Sequence, residues 1–175
     1  MRIHVLHREQ RLPGTPGEVF RFFADARNLE AITPPLLRFR VLSPAPPELR
    51  EGALLRYRLR LRGLPLRWDT VISQWAPPHR FVDVQVRGPY ALWHHTHVFA
   101  PTADGGTLMT DTVRYAVGFG PVGALAHRAF VARDLRTIFD YRAARVPALL
   151  ASGRGGALRG VEPVEDQVRP GQVAG

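Results

Sequence analysis

Two histidines one residue apart, His95 and His97, are the side chains of this 175-residue chain best placed to do chemistry. On an extended strand residues i and i+2 point to the same face, so the two imidazoles stand side by side. Asp83 and Asp111 lie in alternating stretches before and after them, within reach if those stretches pair with the histidine strand. The set has three readings. As a metal pair, the histidines would take Asp83 or Asp111 as a carboxylate ligand. As an acid–base pair, His95 and Asp111, with Tyr57 or Tyr115 nearby, would protonate or enolise a carbonyl compound. As a core network, the groups would hydrogen-bond to one another. Histidine networks outnumber strand metal sites, so the expectation is no tightly bound metal and no cofactor. Nothing fixes a nucleophile or an oxyanion site, so catalysis is the alternative and binding the main reading.

The elements that must position these groups follow from periodicity. Val131, Leu135, Ile138, Phe139, Val146 and Leu149 recur at three- and four-residue steps, which predicts a helix over 121–150, begun by Pro121 and stopped by Gly153, Gly155 and Gly156. Thirty residues make a rod of roughly 45 Å whose apolar side needs a surface to lie on. Arg142 falls on that apolar side between Leu135, Ile138 and Val146, and Arg128 projects near its centre. An arginine beneath a sheet needs a partner. Candidates are the carboxylate of a fatty or aromatic acid, Asp83 or Asp111, or water at a cavity mouth.

Upstream, Thr15-Pro16-Gly17-Glu18 has the form of a capping box, opening a short helix that buries Val19, Phe20 and Phe23. It ends near Arg27-Asn28, and Leu29 to Ile32 adds one more turn before Pro34-Pro35. Turn signals then recur, among them Glu51-Gly52, Gly63-Leu64-Pro65, Ala76-Pro77-Pro78, Gly88-Pro89 and Asp104-Gly105-Gly106, with a proline-rich loop at 43–47. Connections this short join antiparallel strands. Seven strands are expected, at 3–12, 37–42, 53–62, 66–75, 80–87, 91–100 and 107–117.

Alternation assigns the faces. Arg56, Arg58, Arg60 and Arg62 share one side of their strand and face water, which turns Leu55, Tyr57, Leu59 and Leu61 toward the helix. In the next strand Trp68, Thr70 and Ile72 go inward. For the last three strands, putting valines inside would expose Trp93, Phe99, Met109 and Tyr115. The opposite parity buries those rings together with Asp83, Gln85, His95, His97 and Asp111, which must then pair among themselves or with a ligand or water. The second parity is the expected one. It leaves a partly apolar outer face, expected to serve as a homodimer interface.

Bulk properties narrow the class. Hydrophobic residues make up 45% and charged residues 22%, ordinary for one globular domain. There is no cysteine and no lysine, so the net charge of +9 rests on arginine. The chain shows no nucleic-acid-binding motif and no basic tract, which argues against a nucleic-acid partner. No apolar run is long enough to span a membrane and Met1-Arg2-Ile3-His4 leads into no apolar segment, so a cytoplasmic protein without membrane insertion is expected.

The order of elements resembles the START-like helix-grip superfamily, which holds Bet v 1-type allergens, lipid-transfer START domains and polyketide cyclases. More narrowly, Asn28-Leu29-Glu30-Ala31-Ile32-Thr33-Pro34-Pro35, Trp75-Ala76-Pro77-Pro78, Phe81-Val82-Asp83-Val84-Gln85, Trp93 to Phe99 and Asp111 to Tyr115 are similar to a bacterial ligand-binding SRPBCC subgroup related to polyketide cyclase/dehydrase proteins. The resemblance implies an α+β helix-grip fold over 1–150. It implies a cavity for a small apolar or amphipathic molecule (a lipid, fatty acid, polyketide or aromatic compound) between sheet and C-terminal helix. It carries over no catalytic residue. Tyr57, Trp68, Trp93, Tyr115 and Leu135 are the expected apolar lining, with Asp83, Gln85, His95, His97 and Arg142 as its polar groups. Residues 151–175, glycine-rich and without apolar period, read as a flexible tail.

Overall fold

The computed structural model describes residues 1–43 and 49–153. The loop expected at 43–47 and the tail expected at 151–175 lie outside them, apart from residue 43 and residues 151–153. Strand β1 (His4–Leu12) leads to helices α1 (Pro16–Ala24) and α2 (Arg27–Ala31) and a 3-10 turn, Pro35–Leu37. Six strands follow: β2 (Arg40–Val41), β3 (Leu54–Leu61), β4 (Leu64–Ala76), β5 (Arg80–Arg87), β6 (Leu92–Pro101) and β7 (Thr107–Ala116). Every pairing is antiparallel, in the order β1-β7-β6-β5-β4-β3-β2. The chain closes with α3 (Gly120–Ala126), a π-helical turn (His127–Val131) and α4 (Ala132–Ala151), one continuous helical stretch. The seven-stranded sheet and the long C-terminal helix expected from the sequence are both present.

Local chemistry explains the starts and stops. Thr15 caps α1: its hydroxyl accepts from the Glu18 N–H, and the Glu18 carboxylate accepts from the Thr15 N–H at 2.8 Å. The expected strand 37–42 shrinks to two residues, because the Pro34-Pro35 pair sets up a 3-10 turn that a left-handed Arg38 (φ 43°) closes. At the β3–β4 hairpin Arg62 takes φ 51° and leaves the strand's alternation. Its guanidinium turns to α4, donating two hydrogen bonds of 2.9 Å to Asp134 and lying 4.6 Å over the Phe130 ring. Arg62 is thus a clamp, whereas the sequence placed it in a solvated row with Arg56, Arg58 and Arg60.

The parity expected for β6 and β7 is the one adopted, and in β5 Phe81 and Asp83 face the cavity as expected, although Val82, expected on the outer face, is also fully buried. Trp93, His95, His97 and Phe99 of β6 are buried, as are Met109, Asp111, Val113 and Tyr115 of β7. Arg128, projected onto the apolar stripe, is exposed instead. A π-turn inserts an extra residue per turn and rotates everything before it about the axis, which carries Arg128 out of the stripe.

The grip on the helix has a second anchor on the opposite sheet edge. Pro147 stands inside α4 and has no N–H to give the Ala143 carbonyl four residues back. Gln10 of β1 supplies the missing donor, Nε2 to Ala143 O at 2.6 Å, and one turn earlier Arg8 meets Asp140 at 3.0 Å. A half-buried carbonyl left without a donor costs about 1–3 kcal/mol. Gln10→Leu is therefore expected to lower the unfolding free energy, read from urea midpoints, by about 1–2 kcal/mol. In a Pro147→Ala background the restored N–H takes over that carbonyl, so the same substitution should cost clearly less. Equal costs in both backgrounds would disprove the exchange of donors.

Candidate functional site

Sheet register brings the polar groups together. Asp83 pairs directly with His95 across β5–β6, and His97 pairs directly with Asp111 across β6–β7. The diagonals close a ring. His95 Nε2 is 2.8 Å from Asp111 Oδ1 and His97 Nε2 is 3.0 Å from Asp83 Oδ2, both with hydrogen-bond geometry. The direct contacts, His95 Nδ1 to Asp83 Oδ2 at 3.4 Å and His97 Nδ1 to Asp111 Oδ1 at 2.9 Å, complete it. The last is close but poorly directed, and His97 Nδ1 lacks a true hydrogen-bond partner among the described residues. The aromatic surroundings fix the rings: Phe81 stacks on His97 at 4.1 Å, and Phe139 of α4 stands edge-on to His95 at 5.5 Å.

Charge in this ring is set by mutual support against desolvation. Burial pushes the Asp83 carboxyl up, but His95, the hydrogen bond from His97 and the Arg142 cation outweigh it and hold Asp83 below its ordinary range. Burial likewise opposes ionisation of Asp111, and the two imidazoles overcome it more strongly still. Burial lowers His97, yet the hydrogen bonds and charges of Asp111 and Asp83 leave it raised. In His95, burial and the neighbouring His97 charge win over the carboxylates, so its pKa falls. The two similar histidines are driven apart, one toward the cation and one toward the neutral base.

A cavity of about 160 Å³ opens above this ring, between the sheet and α4. Asp83, His95 and His97 form part of its wall, with Tyr57, Trp68, Trp93, Leu135 and Arg142 among the other lining residues. Arg142 brings the cation: its Cζ lies 5.0 Å over the Phe139 ring, and its buried Nε has no hydrogen-bond partner among the described residues. Burial of the Tyr57 hydroxyl, with Asp83 nearby, pushes its pKa up, so it stays a neutral donor.

Three expected site residues stand elsewhere. Gln85 is turned to the β5–β6 connection, where Nε2 donates to Tyr90 O at 2.7 Å and Oε1 accepts from the Tyr90 N–H at 3.4 Å. A Cβ on Gly88 would displace that amide, so glycine at this position leaves Gln85 room to reach Tyr90. Gln85 thereby holds Tyr90, which the sequence reading overlooked, against Trp68 and Trp93 in the cavity wall. Tyr115 lies behind Trp93, and its hydroxyl meets His127 Nε2 at 2.9 Å, while His127 stacks on His4 at 3.5 Å. Asp111 sits behind the histidines and does not line the cavity. The Gly118–Gly120 turn borders a separate hollow with Met1, Arg2, His4 and His127. The π-turn brings His127 there, and no residue type announces it in advance.

Comparison with known proteins agrees with this fold. No curated protein matches the chain. Among solved structures, the Zhui aromatase/cyclase from a Streptomyces species superimposes with a TM-score of 0.71 at 13% identity, over 91% of this chain and 100% of that one. A protein from Thermus thermophilus gives 0.67 at 21% identity, covering 86% and 99%. A START superfamily protein from Mycobacterium smegmatis gives 0.60 at 13%, covering 83% and 99%. At these identities the likeness shows the helix-grip fold alone. The family model for polyketide cyclase / dehydrase and lipid transport matches residues 4–151, almost all of the described chain, and the protein belongs to that family.

Proposed function

We propose that the chain binds a small amphipathic acid, with a single aromatic ring or a short acyl chain, between the sheet and α4. The observation that carries this reading is the pairing of an apolar cavity with an arginine whose buried Nε has no partner among the described residues. A guanidinium next to a rigid ring is suited to a planar carboxylate, and charge-assisted hydrogen bonds in a dry site are worth about 1.5–3 kcal/mol each. Size limits the class. The cavity's 160 Å³ resembles the roughly 150 Å³ that accommodates benzene, so a tetracyclic polyketide or a long fatty acid would require the wall to open.

The catalytic alternative, His95 acting with Asp111, has weaker support. Asp111 is screened from the cavity and can orient His95 through Nε2 but not exchange a proton with a ligand, and the Asp83 carboxylate crowds His95 Nδ1 at 3.4 Å. A general base needs a free lone pair within reach of the substrate's proton. Among the described residues no helix is long and apolar enough to cross a membrane, and the proposed ligand is a solute.

Isothermal titration of the full-length chain with single-ring aromatic acids and short-chain fatty acids checks this reading. Micromolar affinity, about −8 kcal/mol, is expected for the best of them. Leu135→Trp, which fills the space beneath α4, should abolish it without unfolding the protein. Arg142→Gln should weaken an acid about 10- to 100-fold and its neutral primary amide by little. A folded Leu135→Trp variant that binds as tightly as wild type would move the site elsewhere.

A further inference from the structure

We infer that Asp83, His95 and His97 form a binding site for one divalent transition-metal ion of the zinc or cobalt type, in the cavity wall, with Asp111 as the carboxylate that orients both imidazoles. The inference stands apart from the organic ligand and runs against the expectation of no metal drawn from the sequence.

Convergence of donors is the first ground. Asp83 Oδ2 lies 3.4 Å from His95 Nδ1 and 3.0 Å from His97 Nε2, and all three donors fall within 4.8 Å of one another. Ligand atoms about 2.0–2.1 Å from a metal, in tetrahedral or facial geometry, stand roughly 3.0–3.4 Å apart. Two imidazoles and one carboxylate suit a borderline divalent ion and leave coordination positions open to the cavity.

The orientation of the other nitrogens is the second ground. Asp111 Oδ1 faces His95 Nε2 at 2.8 Å and His97 Nδ1 at 2.9 Å, the atoms that point away from the Asp83 junction. A carboxylate behind each ligating histidine fixes its tautomer and raises its donor strength. Here one aspartate stands behind both.

Counting hydrogens is the third. Only two of the four N···O contacts are hydrogen bonds, His95 Nε2 to Asp111 and His97 Nε2 to Asp83, and two neutral imidazoles protonated at Nε2 supply both, with ring centroids 3.8 Å apart. That arrangement leaves the lone pair of the buried His97 Nδ1 facing Asp111 Oδ1 at 2.9 Å, which is repulsive. An ion at the Asp83 junction takes the lone pairs of His95 Nδ1 and His97 Nε2. The hydrogens then sit on His95 Nε2 and His97 Nδ1, 2.8 and 2.9 Å from Asp111 Oδ1, an acceptor that the unpartnered His97 nitrogen reaches after a small turn of its ring. The ion's two charges match Asp83 and Asp111. Arg142, the nearby cation that also acts on Asp83, stays free to face an anion in the cavity.

The test uses the full-length chain after dialysis against a chelator. Cobalt(II) titration is expected to give one ion per chain with the visible absorption of a four- or five-coordinate site, displaced by zinc. Asp83→Asn and His97→Ala should each lower affinity at least 100-fold, with circular dichroism confirming the fold. Asp111→Asn should keep the stoichiometry and spectrum while weakening binding about 10- to 100-fold, the usual effect of losing an orienting partner. Because buried substitutions can unfold the protein, wild type carries its own check: cobalt must shift the ring resonances of His95 and His97. An octahedral, water-like cobalt spectrum, an unchanged titration in folded Asp83→Asn, or shifts confined to other histidines such as His7 or His79 would overturn the site. The organic-acid titrations are run on metal-free protein, so either proposal can fail while the other stands.

Discussion

Two carboxylates and two imidazoles share one buried patch of a sheet that is otherwise lined by aromatic and aliphatic side chains, and the rest of the structure depends on their mutual satisfaction. Each group alone would cost several kcal/mol to remove from water. Together they are tolerated only in the register observed, where direct pairs and diagonals alternate around a four-membered ring. Slipping β6 by one residue would turn His95 and His97 outward with Trp93 and Phe99 and leave Asp83 and Asp111 buried without partners. The ring therefore fixes register as well as chemistry. It also joins the two halves of the interior: Phe81 and Phe23, packed with α1, meet His97, whereas Phe139 and Trp93, packed under α4, meet His95.

The helix is held over this patch from two sides of the sheet. Gln10 and Arg8 hold it from β1, and Arg62 holds it from the β3–β4 hairpin. Apolar packing is continuous at Val146 and Leu149 and again at Val131, Leu135 and Phe139, and the cavity lies beneath the intervening stretch around Ile138 and Arg142. A rod gripped at both edges above a curved sheet leaves a gap where the side chains do not meet, and the polar ring lies in the wall of that gap. Fold and site thus share one cause.

Much of this was legible in the sequence. The parity of β6 could be read because the alternative exposed Trp93 and Phe99 to water, a large cost, and the Thr15–Glu18 capping box could be read from spacing alone. That parity buried His95, His97, Asp83 and Asp111 together and called for partners among themselves, a ligand or water. What was not legible depends on single backbone departures. The π-turn at His127–Val131 breaks the helical projection, sending Arg128 outward and His127 to Tyr115. The positive φ of Arg62 removes it from its strand's arginine row. Gln85 has the right parity for the cavity, yet the tight Gly88–Tyr90 connection claims its amide. One signal was present and unused: a proline at 147, mid-helix, frees the Ala143 carbonyl and demands a donor from elsewhere.

Native mass spectrometry of the freshly purified full-length chain tests the central claim, a cavity built to hold a small acid, most directly. One low-mass organic acid per chain is expected, carried through purification or taken up when single-ring acids are added, and released on denaturation. Bare protein under both conditions would contradict it.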